Sequence, residues 1–203
     1  MDVMGAAAFQ KMKSETPTDS GSAVNQYIRC VADPITLAAQ GKTSVKSWEI
    51  VVFKDDSANA FALPGGKIGV HTGLLKVAKT DAQLAAVLGH EVGHVMAKHS
   101  GERVSQQLAS QGGLAIVSAF LTKGGEPSTS DKMLMAALGL GTQVGIALPH
   151  GRTQETESDI IGQDLMARAG FDPRQSVELW KNMSAAAGGA PPEWLSTHPA
   201  SAN

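Results

Sequence analysis

The run TDAQLAAVLGHEVGHVMAKH, residues 80 to 99, constrains this chain more than any other stretch. Thr80, Asp81 and Gln83 read as a capping box, and the apolar periodicity that follows is helical. On such a helix residues four apart are rotated by about 40° and displaced by about 6 Å, so His90 and His94 leave one face with rings close enough to share an ion. Neutral imidazole suits a borderline ion such as zinc. Glu91, one residue along, is displaced just enough to stand beside a metal-bound water instead of ligating the ion. A chance match to H-E-x-x-H is expected in about one chain in a hundred of this composition. Gly89 and Gly93, also four apart, each cost about 1 kcal/mol of helix propensity relative to Ala. A helix that carries both is expected to have something packed close against that face.

A catalytic zinc site usually takes three protein ligands and leaves a fourth position for water, so one more His, Glu or Asp must come from elsewhere. The one dense cluster downstream is QETESD. Glu155 and Asp159 are four apart and share a helix face, while Glu157 points about 200° away from Glu155. One acid on that face can bind zinc while its neighbour a turn later orients a ligating imidazole. Periodicity leaves the choice between this pair and Glu157 open, and a solvated acidic helix start explains the cluster equally well.

The rest of the chain supplies the setting. Residues 1–21, small and polar with SETPTDSG, read as a flexible lead-in, and the domain is expected from Ser22 to residue 203. Val24, Tyr27, Ile28 and Val31 mark an amphipathic helix that Pro34 should kink or end. SWEIVVFK reads as a strand, and NAFALPGGKIGVHTG as a hairpin turning at Pro64, Gly65 and Gly66. Two apolar helical runs, GGLAIVSAFL and MLMAALGLGTQVGIAL, flank the loop TKGGEPSTSD. Both fall short of the roughly 18 to 20 apolar residues of a bilayer span and read as buried helices. RTQETESDIIGQDLMARAG is a helix closed at Gly170, followed by a helix in RQSVELWKNM. Cys30 is expected to be a buried free thiol. His71 reads as structural, His99 as an exposed helix-end residue off the ligand face, and His150 as a loop residue.

Lysine plus arginine total 17 against 19 acidic residues, with no basic stripe, which argues against a nucleic-acid partner and for a small-molecule or protein substrate. The opening MDVMGAAAFQ lacks the basic start and apolar core of a secretory signal. The close, STHPASAN, has no terminal element, so truncation is expected at both ends.

NAFALPGGKIGVHTGLL, LGHEVGHVMAKHS, RTQETESDIIGQDLMARAGFDP and STHP occur in an order and at spacings that resemble metallopeptidase family 48. The likeness is strongest to its bacterial periplasmic BepA/LoiP-like branch and weaker to the HtpX and CAAX prenyl protease types. It covers roughly residues 22 to 200. The resemblance implies that Glu155, first residue of an E-x-x-x-D pattern, is the third zinc ligand and that Asp159 supports the site. It also implies that His198, in the T-H-P segment, stabilises the oxyanion or occupies the open metal position in a resting state. Where relatives often carry SR and EAD, this chain has HGR and ESD.

The expected fold is α+β: a mainly helical, zincin-like metalloprotease domain with a small sheet or hairpin beside the metal helix. The expected function is zinc-dependent endoproteolysis with one zinc ion per chain, held by His90, His94 and Glu155, with Glu91 as base. Asn59, Ala60, Phe61 and Ala62, on a sheet edge, would pair with an extended polypeptide. By resemblance the substrates are misfolded or unassembled envelope proteins, and the location is periplasmic, with membrane association through an N-terminal anchor upstream of this chain. The rival is a non-enzymatic or latent zinc-stabilised chaperone or binding module.

Overall fold

The computed structural model describes residues 1–106, 109, 111, 118, 128–142, 148–186 and 198. The expected helix GGLAIVSAFL and loop TKGGEPSTSD lie largely outside them. The described helices include α1 (Asp2–Glu15), α2 (Ala23–Ala38), α3 (Asp81–Met96), α4 (Thr129–Thr142), α5 (Leu148–Arg168) and α6 (Gln175–Ala186), with a 3-10 helix at Thr72–Lys76 and further helical residues at 99–106. Four strands, β1 (Thr18–Asp19), β2 (Glu49–Phe53), β3 (Ala60–Leu63) and β4 (Lys67–His71), form one mixed sheet in the order β1-β2-β4-β3. The α+β, mainly helical architecture is the expected one.

Strand alternation divides the sheet into two faces. Ile50, Val52, Ile68 and Val70 point inward and join one core with Ile28, Val31 and Ile35 of α2 and Leu84, Leu88 and Val92 of α3. Leu165 and Met166 of α5 and Leu179 and Met183 of α6 close that core from the far side. Each such side chain, fully buried, contributes about 1.5–3 kcal/mol relative to exposure. Outward-facing Phe53 and Phe61 meet Phe9 of α1, with ring centroids 6.0 and 6.3 Å from it. Gly69 of β4 makes this possible, since a Cβ there would lie inside the Phe61 ring position.

Residues 1–21 are therefore not the flexible lead-in suggested by their composition. Phe9 is fully buried, Lys13 Nζ donates to Glu49 at 2.8 Å, and Thr18–Asp19 pairs with Phe53–Val52. One aromatic residue in a run of Ala, Gly and Lys carries that packing, too little to register as periodicity. Pro34 does not end α2, which continues to Ala38. Cys30 is exposed instead of buried. The hairpin forms as expected, with Gly65 and Gly66 at φ +83° and +76°, the left-handed region that glycine enters freely.

Candidate metal centre

α3 begins at the expected cap, where Thr80 Oγ1 accepts from Gln83 N at 3.2 Å, and Gln83 Oε1 reaches one residue past the N-cap to accept from Lys79 N at 2.9 Å. From Gln83 to His94 every residue of α3 is buried. The two glycines have the close neighbour that their cost implied. A Cβ on Gly89 would lie 2.9 Å from Gly162 O, and one on Gly93 3.0 Å from Ser158 O, so α5 crosses α3 backbone to backbone. Ser158 Oγ donates to His90 O at 3.2 Å and adds a hydrogen bond to this crossing.

The crossing resolves the ambiguity in QETESD. Glu155, 2% exposed, points at the two α3 imidazoles, whereas the Glu157 side chain is 56% exposed and turns elsewhere. His90 Nε2 lies 3.0 Å from His94 Nε2 and 3.1 Å from Glu155 Oε2, and the third side of that triangle is 3.4 Å. His198 Nδ1 completes the group at 3.2 Å from His90 Nε2 and 3.0 Å from Glu155 Oε2. A tetrahedral zinc with bonds of about 2.05 Å has ligand-to-ligand edges of about 3.3 Å, so these separations fit such an ion. His90, His94, Glu155 and His198 are thus four buried groups that could hold a metal.

A carboxylate can only accept, so the 2.8 Å contact to Asp159 Oδ1 puts a proton on His90 Nδ1. His90 Nε2, 3.1 Å from Glu155 Oε2, is the nitrogen that faces the centre, and an ion there would displace any proton shared with that carboxylate. His198 lies between two carboxylates, with Nε2 3.3 Å from Glu91 Oε1 and Nδ1 facing the centre 3.0 Å from Glu155 Oε2. Glu155 Oε1 accepts from Arg103 Nη2 at 2.9 Å, which turns Oε2 inward. Burial opposes charge on His90, but the Asp159 and Glu155 carboxylates outweigh it and raise its pKa to about 9. Burial lowers the pKa of His94. Glu155 is held well below the usual carboxylate range: burial opposes its charge, and contacts with His198, His90 and His94 overcome that opposition.

Glu91 is 2% exposed and receives Ala62 N–H on Oε2 at 3.2 Å, so the open edge of β3 borders the centre. Because Asn59 O accepts from His71 N, alternation commits Asn59 and Phe61 to β4 and leaves the backbone groups of Ala60 and Ala62 on the open edge. Of Asn59, Ala60, Phe61 and Ala62, only Ala60 and Ala62 thus have backbone groups on that open edge. Two further expectations need correction. His150 falls in the first turn of α5, not in a loop. His99 is 1% exposed, with Nδ1 2.8 Å from His94 Nδ1. α3 ends at Met96, Lys98 takes φ +61°, and this left-handed residue swings His99 back beneath His94, which an unbroken helix could not do. Arg103 was not singled out by sequence; its spacing of four from His99 becomes a signal only once that turn is known.

Mitochondrial metalloendopeptidase OMA1 of Schizosaccharomyces pombe is 39% identical over 167 residues, 81% of this chain and 46% of the relative. The OMA1 of Arabidopsis thaliana is 39% identical over 153 residues, 75% of this chain and 29% of the relative. The Beta-barrel assembly-enhancing protease of Yersinia pestis is 28% identical over 200 residues, 97% of this chain and 40% of the relative. The chain thus spans less than half the length of each. The expected periplasmic, membrane-associated location does not stand, because relatives at 39% are mitochondrial proteins and the bacterial ones are more distant. Among the described residues no helix is long and apolar enough to cross a membrane. The profile of peptidase family M48 matches residues 22–203, which is nearly the whole chain, and with the 39% identity to two metalloendopeptidases it shows that this chain belongs to that family.

Proposed function

We propose that the chain is the catalytic unit of a zinc metalloendopeptidase that cleaves extended segments of misfolded or unassembled polypeptides. The observation that carries the reading is the convergence of three imidazole nitrogens and one carboxylate oxygen, all buried, with Glu91 beside them. The donor set of nitrogen and oxygen suits zinc. His90, His94 and Glu155 hold the ion, Asp159 orients His90, and His198 either withdraws to open the fourth position or steadies the oxyanion.

When bound, zinc supplies a Lewis acid for the attacking water and the scissile carbonyl. Glu91 takes the water proton and later delivers it to the leaving amine, a task that needs a carboxylate within hydrogen-bond reach of the reacting groups. The substrate backbone pairs with Ala60 and with the carbonyl of Ala62 on the open edge of β3, the Ala62 N–H being held by Glu91. Pairing through main-chain groups selects for unfolded segments and little for side chains. The contacts of His198 with both Glu91 and Glu155 favour a second reading, a latent form in which this histidine fills the open position.

Zinc content and casein cleavage of the parent and of Glu91→Gln test the proposal. Glu91→Gln should keep its zinc and lose cleavage by about 10²–10⁴-fold. Equal cleavage by both proteins would remove Glu91 as base, whereas zinc without cleavage in either would favour the latent form or a binding module.

A further inference from the structure

We infer that His99 and Glu157 form a relay that presets His94 for metal binding, so that two residues outside the donor set tune the affinity of the centre. The inference rests on the metal reading above. His99 Nε2 lies 3.2 Å from Glu157 Oε2, and His99 Nδ1 lies 2.8 Å from His94 Nδ1. A carboxylate has no proton to give, so His99 Nε2 carries the hydrogen. A neutral His99 then has only a lone pair on Nδ1, and His94 must be the donor of the 2.8 Å bond. With its proton on Nδ1, His94 presents a bare Nε2 to His90 Nε2 and Glu155 Oε2. The opposite order would put a proton on His94 Nε2 and point it into the donor cluster, where it would block coordination.

The two α3 imidazoles are therefore oriented by different means. Asp159 acts on His90 directly, from α5. His94 lies farther along α3, and its Nδ1 is met by another imidazole, with the carboxylate of Glu157 one step behind. Glu157 and Asp159 lie two apart on α5 and depart in different directions, so one acidic helix turn serves both histidines. Lys98 makes this possible. Its φ of +61° breaks the helical path between His94 and His99 and lets the two rings meet with centroids 4.9 Å apart. His99 is a positioning residue: it touches a ligand, not the ion.

The test uses the full chain, zinc as the probe and a competing chelator to read its dissociation constant. Loss of a partner that orients a ligating histidine typically weakens metal binding 10–100-fold. His99→Leu should show a loss of that size. His99→Gln, whose amide oxygen can accept from His94 Nδ1, should recover to within about fivefold of the parent. Nitrogen-15 spectra of the imidazoles should place the His94 proton on Nδ1 in the parent. Should His99→Leu not fold, Glu157→Ala alters a half-exposed side chain and carries the test, with a loss of at least severalfold. Undiminished zinc binding by folded His99→Leu or by Glu157→Ala, or a parent His94 proton on Nε2, would overturn the relay alone. A parent that binds no zinc would overturn the metal reading on which the relay depends.

Discussion

Gly162→Ala tests whether the backbone contact between α3 and α5 assembles the centre. The added Cβ would lie 2.8 Å from His90 N and 2.9 Å from Gly89 C, both backbone atoms of α3 that no rotamer change can move. Ordinary contact needs about 3.4 Å or more, so the helices must part by about half an ångström. Two effects oppose each other. Alanine gains about 1 kcal/mol of helix propensity over glycine, while overpacking a close interface costs about 1–3 kcal/mol. The net expectation is a destabilisation of about 0–2 kcal/mol. Gly151→Ala is the control, because it lies in the same helix with nothing within 4 Å of its Cβ, and it should gain about 0.5–1 kcal/mol. Urea unfolding of the metal-free proteins should therefore place Gly162→Ala below Gly151→Ala by about 0.5–3 kcal/mol. Glu155 and Asp159 ride on α5, and a displacement of half an ångström exceeds the roughly 0.2 Å tolerance of a coordination distance. Metal affinity should fall about tenfold or more in Gly162→Ala and stay unchanged in Gly151→Ala. If Gly162→Ala were stabilised as much as Gly151→Ala and bound metal normally, the close crossing would not be what positions the acidic residues.

Phe9→Ala removes the fully buried ring by which α1 covers Phe53 and Phe61. It should cost about 3–5 kcal/mol and raise amide exchange in α1 well above that in α3; α1 amides that stay protected would show that other contacts hold the helix. Glu49 accepts from Lys13 and Lys67, and these two partners, Lys13 first, hold its pKa below the usual carboxylate value. A lowered folded-state pKa means that the stabilisation is present above the unfolded pKa and lost as pH falls through the folded one. Glu49→Gln should thus be less stable than the parent by about 0.5 kcal/mol at pH 6, the pair being partly exposed. That gap should close at acid pH, and a gap independent of pH would mean that packing, not charge, links α1 to the sheet.

What the sequence determined by itself is local. The cap at Thr80, the helical run through His94, the hairpin glycines and the placing of His90, Glu91 and His94 on neighbouring positions of one helix all follow from backbone geometry within a few residues. Periodicity could show that Glu155 and Asp159 share a face, but not that this face meets α3, because a charged stripe reads the same whether it faces water or a metal. Only the crossing at Gly89, Gly93 and Gly162 decided that, since backbone approach depends on what lies opposite each missing side chain. The reading of His99 failed for a related reason. Extending the helical pattern past Met96 put this residue on the wrong face, and the turn at Lys98 that reverses it occurs at a residue with no glycine to announce it. α1 was missed because a single buried ring, Phe9, holds it to a sheet that the sequence does not bring near. Local spacing determines which atoms a segment can offer, and long-range packing decides where they meet.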